Sequence, residues 1–319
     1  MTRRIVVTGA TGFIGGTLIR RLLADGRAVR AALRRTIPGL PVDAELVAIS
    51  TIGPETNWMR AVEGADAVVH LAARVHMTGE STPDALPLFR AVNAAGSATL
   101  ARAARAAGVR RFVLLSTTTV YGDRSLGRPF DEASLPAPVT PYARSKLEAE
   151  QLVAEALRGS STEFVVLRPP LVYGAGAKGN FERLVRLVRR GIPLPLASVH
   201  NRRSLVYVGN LVDAIVRCLY HPGAAGHTYV VSDGEDVSTP QLIARIAAAL
   251  GRRPRLIPMP AALLRFAGKL IGRADEVARM LDDMAVDSSR IRRELDWQPA
   301  FTLDEGLSQS VRLTTRRAS

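Results

Sequence analysis

The sequence predicts a doubly wound α/β fold: a parallel sheet with helices on both faces, followed by a smaller C-terminal region that binds substrate. Three observations carry this. Short runs of Val, Ile, Leu and Ala alternate with helical patterns through the first half of the chain. A glycine-rich turn follows the first run directly. Beyond Pro169 the alternation loosens into short strands, loops and separate helices. Near-continuous apolar strands separated by helices are the mark of a sheet buried on both faces.

The elements come in order. The strand at 5–7 leads into Thr8-Gly9-Ala10-Thr11-Gly12-Phe13-Ile14-Gly15, which opens a helix at 13–24. Gly9 permits the tight turn, Gly12 lets backbone approach a pyrophosphate, and Gly15 lets the helix lie close on the strand. The amides around Thr11, Phe13 and Ile14 then face the anionic diphosphate of a dinucleotide. Glycines three apart say little in a chain with 26 of them. Placed between a strand and a helix, they are a strong signal.

The second strand, 28–33, ends in Leu33-Arg34-Arg35. An acid there would hold the ribose 2′-hydroxyl of NAD. Leu33 takes its place, and Arg34 first, Arg35 second, offer a cationic fork to a 2′-phosphate. The expectation is NADP(H), with NAD(H) the alternative. Both arginines also read as ordinary surface cations. Further strands fall at 46–49, 67–71, 112–115 and 164–167, with helices at 91–107 and 142–157. His70 reads as a packed scaffold residue. The expected division is a dinucleotide-binding domain at 1–169, rejoined by 201–221, and a substrate-binding region at 170–200 and 222–319, with helices at 181–190, 240–250 and 261–271.

The helix at 142–157 carries chemistry. Thr140 suits its N-cap and Pro141 its first turn. Tyr142 and Lys146 stand four residues apart, on one face. A free phenol, with a pKa near ~10, is a poor base at neutral pH. A neighbouring ammonium and a nicotinamide's positive ring lower it. Only three lysines occur, Lys146, Lys178 and Lys269, so a lysine at this spacing stands out.

Charge excludes less than it suggests. There are 43 Lys+Arg against 29 Asp+Glu, a net charge of +14. The arginines are scattered in pairs and aromatics make up only 5%, so nucleic acid is not the expected partner. One cysteine, Cys218, excludes an internal disulfide and a cysteine-based metal site. No apolar run approaches the ~20 residues that span a bilayer, and no signal-peptide pattern opens the chain. A cytoplasmic protein with no membrane partner and no metal is expected.

The Thr-Gly-Ala-Thr-Gly-Phe-Ile-Gly string, the Tyr142/Lys146 pair and Leu295-Asp296-Trp297-Gln298-Pro299 resemble the extended short-chain dehydrogenase/reductase family across the whole chain. The resemblance implies that Leu71, Ala72 and Ala73 pass against the cofactor, that Asn93 is the family's asparagine beside the site, and that Pro169 walls the nicotinamide. It departs at Ser50-Thr51, where the family carries an Asp beside the adenine. The catalytic hydroxyl would be Thr117, with Ser116 the alternative, bonding the substrate oxygen. On the substrate side it implies Lys178 and Asn180, then Arg203 on the substrate's phosphates, with Arg279 or Arg273 as second ligand. Dehydratases of the family carry Asp-Glu after this hydroxyl; here Thr118 and Thr119 stand there. The activity implied is NADPH-dependent reduction of a 4-keto nucleotide sugar, of the UDP-4-keto-6-deoxy-N-acetylhexosamine type, for surface polysaccharide. An NAD-dependent UDP-sugar 4-epimerase is the alternative, and a non-catalytic dinucleotide sensor is another. A homodimer through the helices 91–107 and 142–157 is also implied.

Overall fold

Strand β1 (Arg4–Thr8) runs into the glycine turn and α1 (Phe13–Ala24). The computed structural model describes residues 4–35, 41, 43–75, 85–177 and 179–316. Then come β2 (Ala28–Leu33), β3 (Glu45–Ala48), α2 (Met59–Val62), β4 (Ala67–His70), α3 (Leu86–Phe89), α4 (Gly96–Ala106) and β5 (Arg111–Leu115). Helix α5 (Pro141–Leu157) leads to β6 (Glu163–Arg168), β7 (Leu171–Tyr173), α6 (Asn180–Arg189), β8 (Arg203–Tyr207), α7 (Val208–Tyr220) and β9 (Thr228–Val230). The chain finishes with β10 (Asp236–Val237), α8 (Thr239–Ala249), α9 (Ala261–Leu270), α10 (Ala274–Leu281), α11 (Ser289–Leu295) and α12 (Leu303–Arg316).

Seven strands form one sheet in the order β3-β2-β1-β4-β5-β6-β9, every pairing parallel. Ile5 and Val7 of β1 face a core shared with Leu18, Leu22, Leu211 and Ile215 of α1 and α7. Val6 faces the opposite core with Leu100, Ala104, Val153 and Leu157 of α4 and α5. Both faces are therefore dry, which is why these strands are apolar throughout. The strand order reverses between β1 and β4, and the crevice beyond their carboxyl ends is where such sheets take ligands. A second sheet, β10-β8-β7, lies outside the first.

Two expectations are refined. The helix foreseen at 91–107 starts earlier and holds a π-helical stretch, Arg90–Ala95, between α3 and α4. Such widened turns recur at functional sites. The return expected at 201–221 is seen in part: β8 belongs to the small sheet, α7 within that segment packs on the main core, and β9, beyond it, completes the main sheet beside β6. A three-residue strand is too short for its period to show in sequence.

Candidate active site

The glycine turn, Leu71–Ala73 and Thr117 follow the carboxyl ends of β1, β4 and β5. After β1, Gly9 adopts φ +68°, and a Cβ there would stand 2.8 Å from the amide nitrogen of Ala72. Only glycine fits the turn. A Cβ on Gly15 would collide with the Gly9 carbonyl oxygen, so α1 starts hard against the turn. Gly12 is exposed, its amide donates to Gly9 O at 2.9 Å, and no side chain caps α1. Thr11, Phe13 and Ile14 surround that uncapped start. A helix opening without a capping side chain, behind a turn that only glycine fills, suits a diphosphate. The residues present thus fit a dinucleotide.

Leu71, Ala72 and Ala73 follow β4 against this turn. The Ala72 amide donates to Thr8 Oγ1 at 3.2 Å, and Thr8 Oγ1 lies 2.6 Å from His70 Nδ1. His70 Nε2 lies 2.8 Å from Ser97 Oγ, whose hydroxyl donates to the Asn93 carbonyl at 2.5 Å. Counting donors along this chain puts the imidazole proton on Nε2 and leaves Nδ1 to accept from Thr8. Burial, and secondarily the charge of Lys146, pushes the ring's pKa down to about 3. His70 is a neutral strut, as expected.

Asn93 is a structural residue beside the site. It is fully buried; Oδ1 accepts from the Arg74 amide at 2.7 Å, and Nδ2 donates to Arg74 O and to Ser145 Oγ, each at 3.0 Å. With both ends of its amide engaged, it ties the loop after β4 to α5.

Helix α5 begins as predicted. Thr140 Oγ1 accepts from the Ala143 amide at 3.1 Å and Pro141 occupies the first turn. Tyr142 packs edge-on against Phe89 at 6.4 Å. Lys146 is 2% exposed. Burial brings its pKa down to about 8, against the opposing pull of Glu150. Burial also pushes the Tyr142 phenol up to about 12. That direction is opposite to the one expected from a neighbouring ammonium, and its cause is desolvation of the phenolate.

Glu150, one turn beyond Lys146, is a functional candidate that the sequence alone did not single out. It is buried, and accepts from Ser116 Oγ and from both Nε and Nη2 of Arg168, the Nε contact at 3.0 Å. Arg168 Nη1 donates to Tyr121 Oη at 2.6 Å. One carboxylate thereby joins α5 to the ends of β5 and β6. Its spacing of four from Lys146 was the available signal.

Ser116 is therefore committed to Glu150. Thr117 is 9% exposed; its Oγ1 accepts from the Thr119 amide at 3.2 Å and lies 3.0 Å from Thr119 Oγ1. It caps the short 3-10 turn Thr118–Val120. Pro169 is buried, and its carbonyl takes the Thr118 amide at 3.0 Å.

Arg34 and Arg35 are exposed beyond the buried Leu33, with no ion pair to another described residue. On the substrate side, Asn180 is exposed at the start of α6. Its neighbour Phe181 is core, 5.4 Å from the Tyr173 ring. Lys178 lies outside the described residues. Arg203 is anchored through one nitrogen: its Nη1 donates to the carbonyls of Arg279 and Asp282, the latter at 3.3 Å. The same contact brings Arg203 beside Arg279, which is exposed. Arg273 is also exposed, 3.9 Å from Glu276. A cleft of about 530 Å³ lined by Arg202, Asp236, Asp287 and Arg292 includes none of Thr117, Tyr142 or Lys146. Cys218 is buried, its thiol pushed up to about 12 by burial, so it is no nucleophile. Among the described residues no group of His, Cys, Asp and Glu could hold a metal.

A parallel sheet, a glycine turn opening its first helix and a Tyr/Lys helix are features of the short-chain dehydrogenases/reductases. The chain belongs to the NAD dependent epimerase/dehydratase family, whose model matches residues 5–232. It is 40% identical over 314 residues to a UDP-glucose 4-epimerase of Vibrio cholerae, covering 98% of this chain and 95% of that protein. Among solved structures, MoeE5 in complex with UDP-glucuronic acid and NAD is 27% identical, with a TM-score of 0.79 over 99% of this chain and 100% of that one. The UDP-glucose 4-epimerase of Thermotoga maritima, at 21% identity, shares the fold with a TM-score of 0.81 over 99% and 100% of the two chains. The protein is thus an enzyme of a nucleotide-sugar epimerase and dehydratase family.

Proposed function

We propose that the enzyme reduces a 4-keto nucleotide sugar, of the UDP-4-keto-6-deoxy-N-acetylhexosamine type, with NADPH, in a cytoplasmic route to surface polysaccharide. The observation that carries this reading is the end of β2. Leu33 is buried there, Arg34 and Arg35 are exposed, and no acid occurs between Asp25 and Asp43. Nothing repels a 2′-phosphate, and a fork is present to bind one.

The bound nicotinamide supplies the hydride that reaches C4. Tyr142, held neutral by burial, is ready to give its phenolic proton to the former carbonyl oxygen. Lys146, a cation below about pH 8, steadies the phenolate left behind. Thr117 completes the arrangement by donating to the same oxygen. Thr118 and Thr119 carry no carboxyl group, so water loss has no acid–base pair there. Arg203 and Arg279 are the proposed ligands of the substrate's diphosphate, with Lys178 and Asn180 alongside. The homodimer through α4 and α5 belongs to the same proposal.

A second reading is a 4-epimerase that retains NAD and returns the hydride to the opposite face; the identity to the Vibrio cholerae protein favours it. Cofactor binding separates the two. Under the reductase reading, NADPH binds more tightly than NADH, and Arg34→Ala weakens NADPH roughly tenfold while leaving NADH unchanged. Purification with tightly held NAD, together with interconversion of UDP-hexose epimers, would overturn it.

A further inference from the structure

The stretch from Gly251 to Arg273 contains Arg252, Arg253, Arg255, Arg265, Lys269 and Arg273 and not one acid. It also carries a run of exposed large apolar side chains: Ile257, Leu263, Phe266 at 59%, Leu270 at 72% and Ile271. Helix α9 organises them. Its inner side is Leu264 and Gly268. Gly268 is where α10 presses closest, since a Cβ there would stand 2.8 Å from a methyl of Val277. Leu263, Phe266, Ala267 and Leu270, spaced i, i+3, i+4 and i+7, form a stripe that faces away from that contact. Arg265 and Lys269, one turn apart, run along one edge of the stripe. Arg265 is paired with Asp282 at 2.5 Å, and Lys269 is exposed.

We propose that this face docks the protein on an anionic bilayer surface. Helix α9 lies in the headgroup region, with Leu263, Phe266, Leu270 and Ile271 inserted and the cations against lipid phosphates. An apolar stripe with cations along its edge is the pattern of helices that lie in a membrane interface. Charge selects the occupant. With Arg265 paired to Asp282 and Arg273 beside Glu276, Arg252, Arg253, Arg255 and Lys269 have no ion pair to a described residue; a second copy meeting this face through a two-fold axis would set these four against four, whereas anionic lipid neutralises them, each cation near the surface contributing to adhesion. The expectation of no membrane partner rests on the lack of a spanning segment. No helix among the described residues is long and apolar enough to cross a membrane, but lying on the surface does not require one. The docked face adjoins the substrate side, since α10 carries Arg279.

The test uses the full chain and vesicles, without any substrate. Sedimentation with vesicles containing phosphatidylglycerol should carry the protein down, and vesicles of phosphatidylcholine alone should bind it far less. The variant Leu263→Ser/Phe266→Ser/Leu270→Ser changes only exposed positions, and should bind phosphatidylglycerol vesicles roughly tenfold more weakly. Lys269→Glu should weaken binding, as should added salt. Phe266→Trp gives a direct readout. The native Trp58 and Trp297 are buried, so a blue shift on adding anionic vesicles would report insertion of the new ring. No binding to phosphatidylglycerol vesicles would overturn the proposal. So would equal binding by the triple serine variant, which would mean attraction to net charge alone. Self-association abolished by the same variant would assign the face to a second copy instead. None of these outcomes bears on the proposed reduction, whose test is cofactor binding.

Discussion

Tyr142 and Lys146 are each pushed toward neutrality by burial, the phenol up to about 12 and the ammonium down to about 8. The pair is consequently poised to give a proton at neutral pH and loses its cation on the alkaline side. The expected pH profile of kcat/KM falls as pH rises through about 8, when Lys146 deprotonates. Tyr142→Phe should lower kcat by roughly 10²–10⁴-fold with little change in cofactor affinity, measured by steady-state kinetics and cofactor titration. A smaller loss would mean that another group protonates the substrate. Sequence spacing was enough to find this pair, because i and i+4 on a helix determine a shared face. It could not give the direction of the Tyr142 shift, which depends on how much water the fold removes. Asn93 and Arg203 were recognised as important positions by resemblance. Their hydrogen bonds to the Arg74 backbone and to the carbonyls of Arg279 and Asp282 join residues 19 to 79 positions apart, which no local pattern encodes.

Elements carrying the site are locked to one another by two buried polar devices. Glu150 holds α5 to β5 and β6, and its charge supports the Lys146 ammonium. Glu150→Gln leaves Arg168 without its buried counter-charge and should cost about 3–5 kcal/mol of stability, read by urea unfolding. The variant should also move the alkaline limb of the pH profile below about 8, because Lys146 loses a stabilising negative charge. A purely structural role for Glu150 would lower stability without moving that limb. His70 is the second device, linking β1 through Thr8 and α4 through Ser97. Its folded pKa, about 3, lies below the ordinary 6.5. Below pH 6.5 the unfolded chain binds the extra proton and the folded one does not, so stability rises with pH across this window and is lost as pH falls toward 3. His70→Asn should flatten the fall between pH 7 and roughly pH 4.5, a difference of about 2 kcal/mol. An unchanged slope would mean that carboxylates alone set the acid sensitivity. The main strands and helices were legible because apolar runs and helical periods persist over four or more residues. Strands β7, β9 and β10, of three, three and two residues, are defined by their neighbours and not by their own sequence.

At the scale of the whole molecule, the two regions that the sequence leads one to expect are not separable beads. The last strand of the main sheet, β9, comes from beyond the substrate-side segment that holds α6 and the small sheet's β7 and β8. Strand β6 is hydrogen-bonded on both sides, to β5 and β9, and its Val165, Val166 and Leu167 are buried. A chain stopped at residue 169 would therefore bare a flat apolar edge, a row of open amides and carbonyls that invites intermolecular pairing. Such a truncation should form aggregates, visible by light scattering, even though it retains the glycine turn. A soluble, cofactor-binding 1–169 fragment would contradict this. Because β9 is synthesised some sixty residues after β6, that edge also stays open for a time on every nascent chain. The interval between β6 and β9 is thus the period in which a newly made molecule is most exposed to its neighbours and to chaperones.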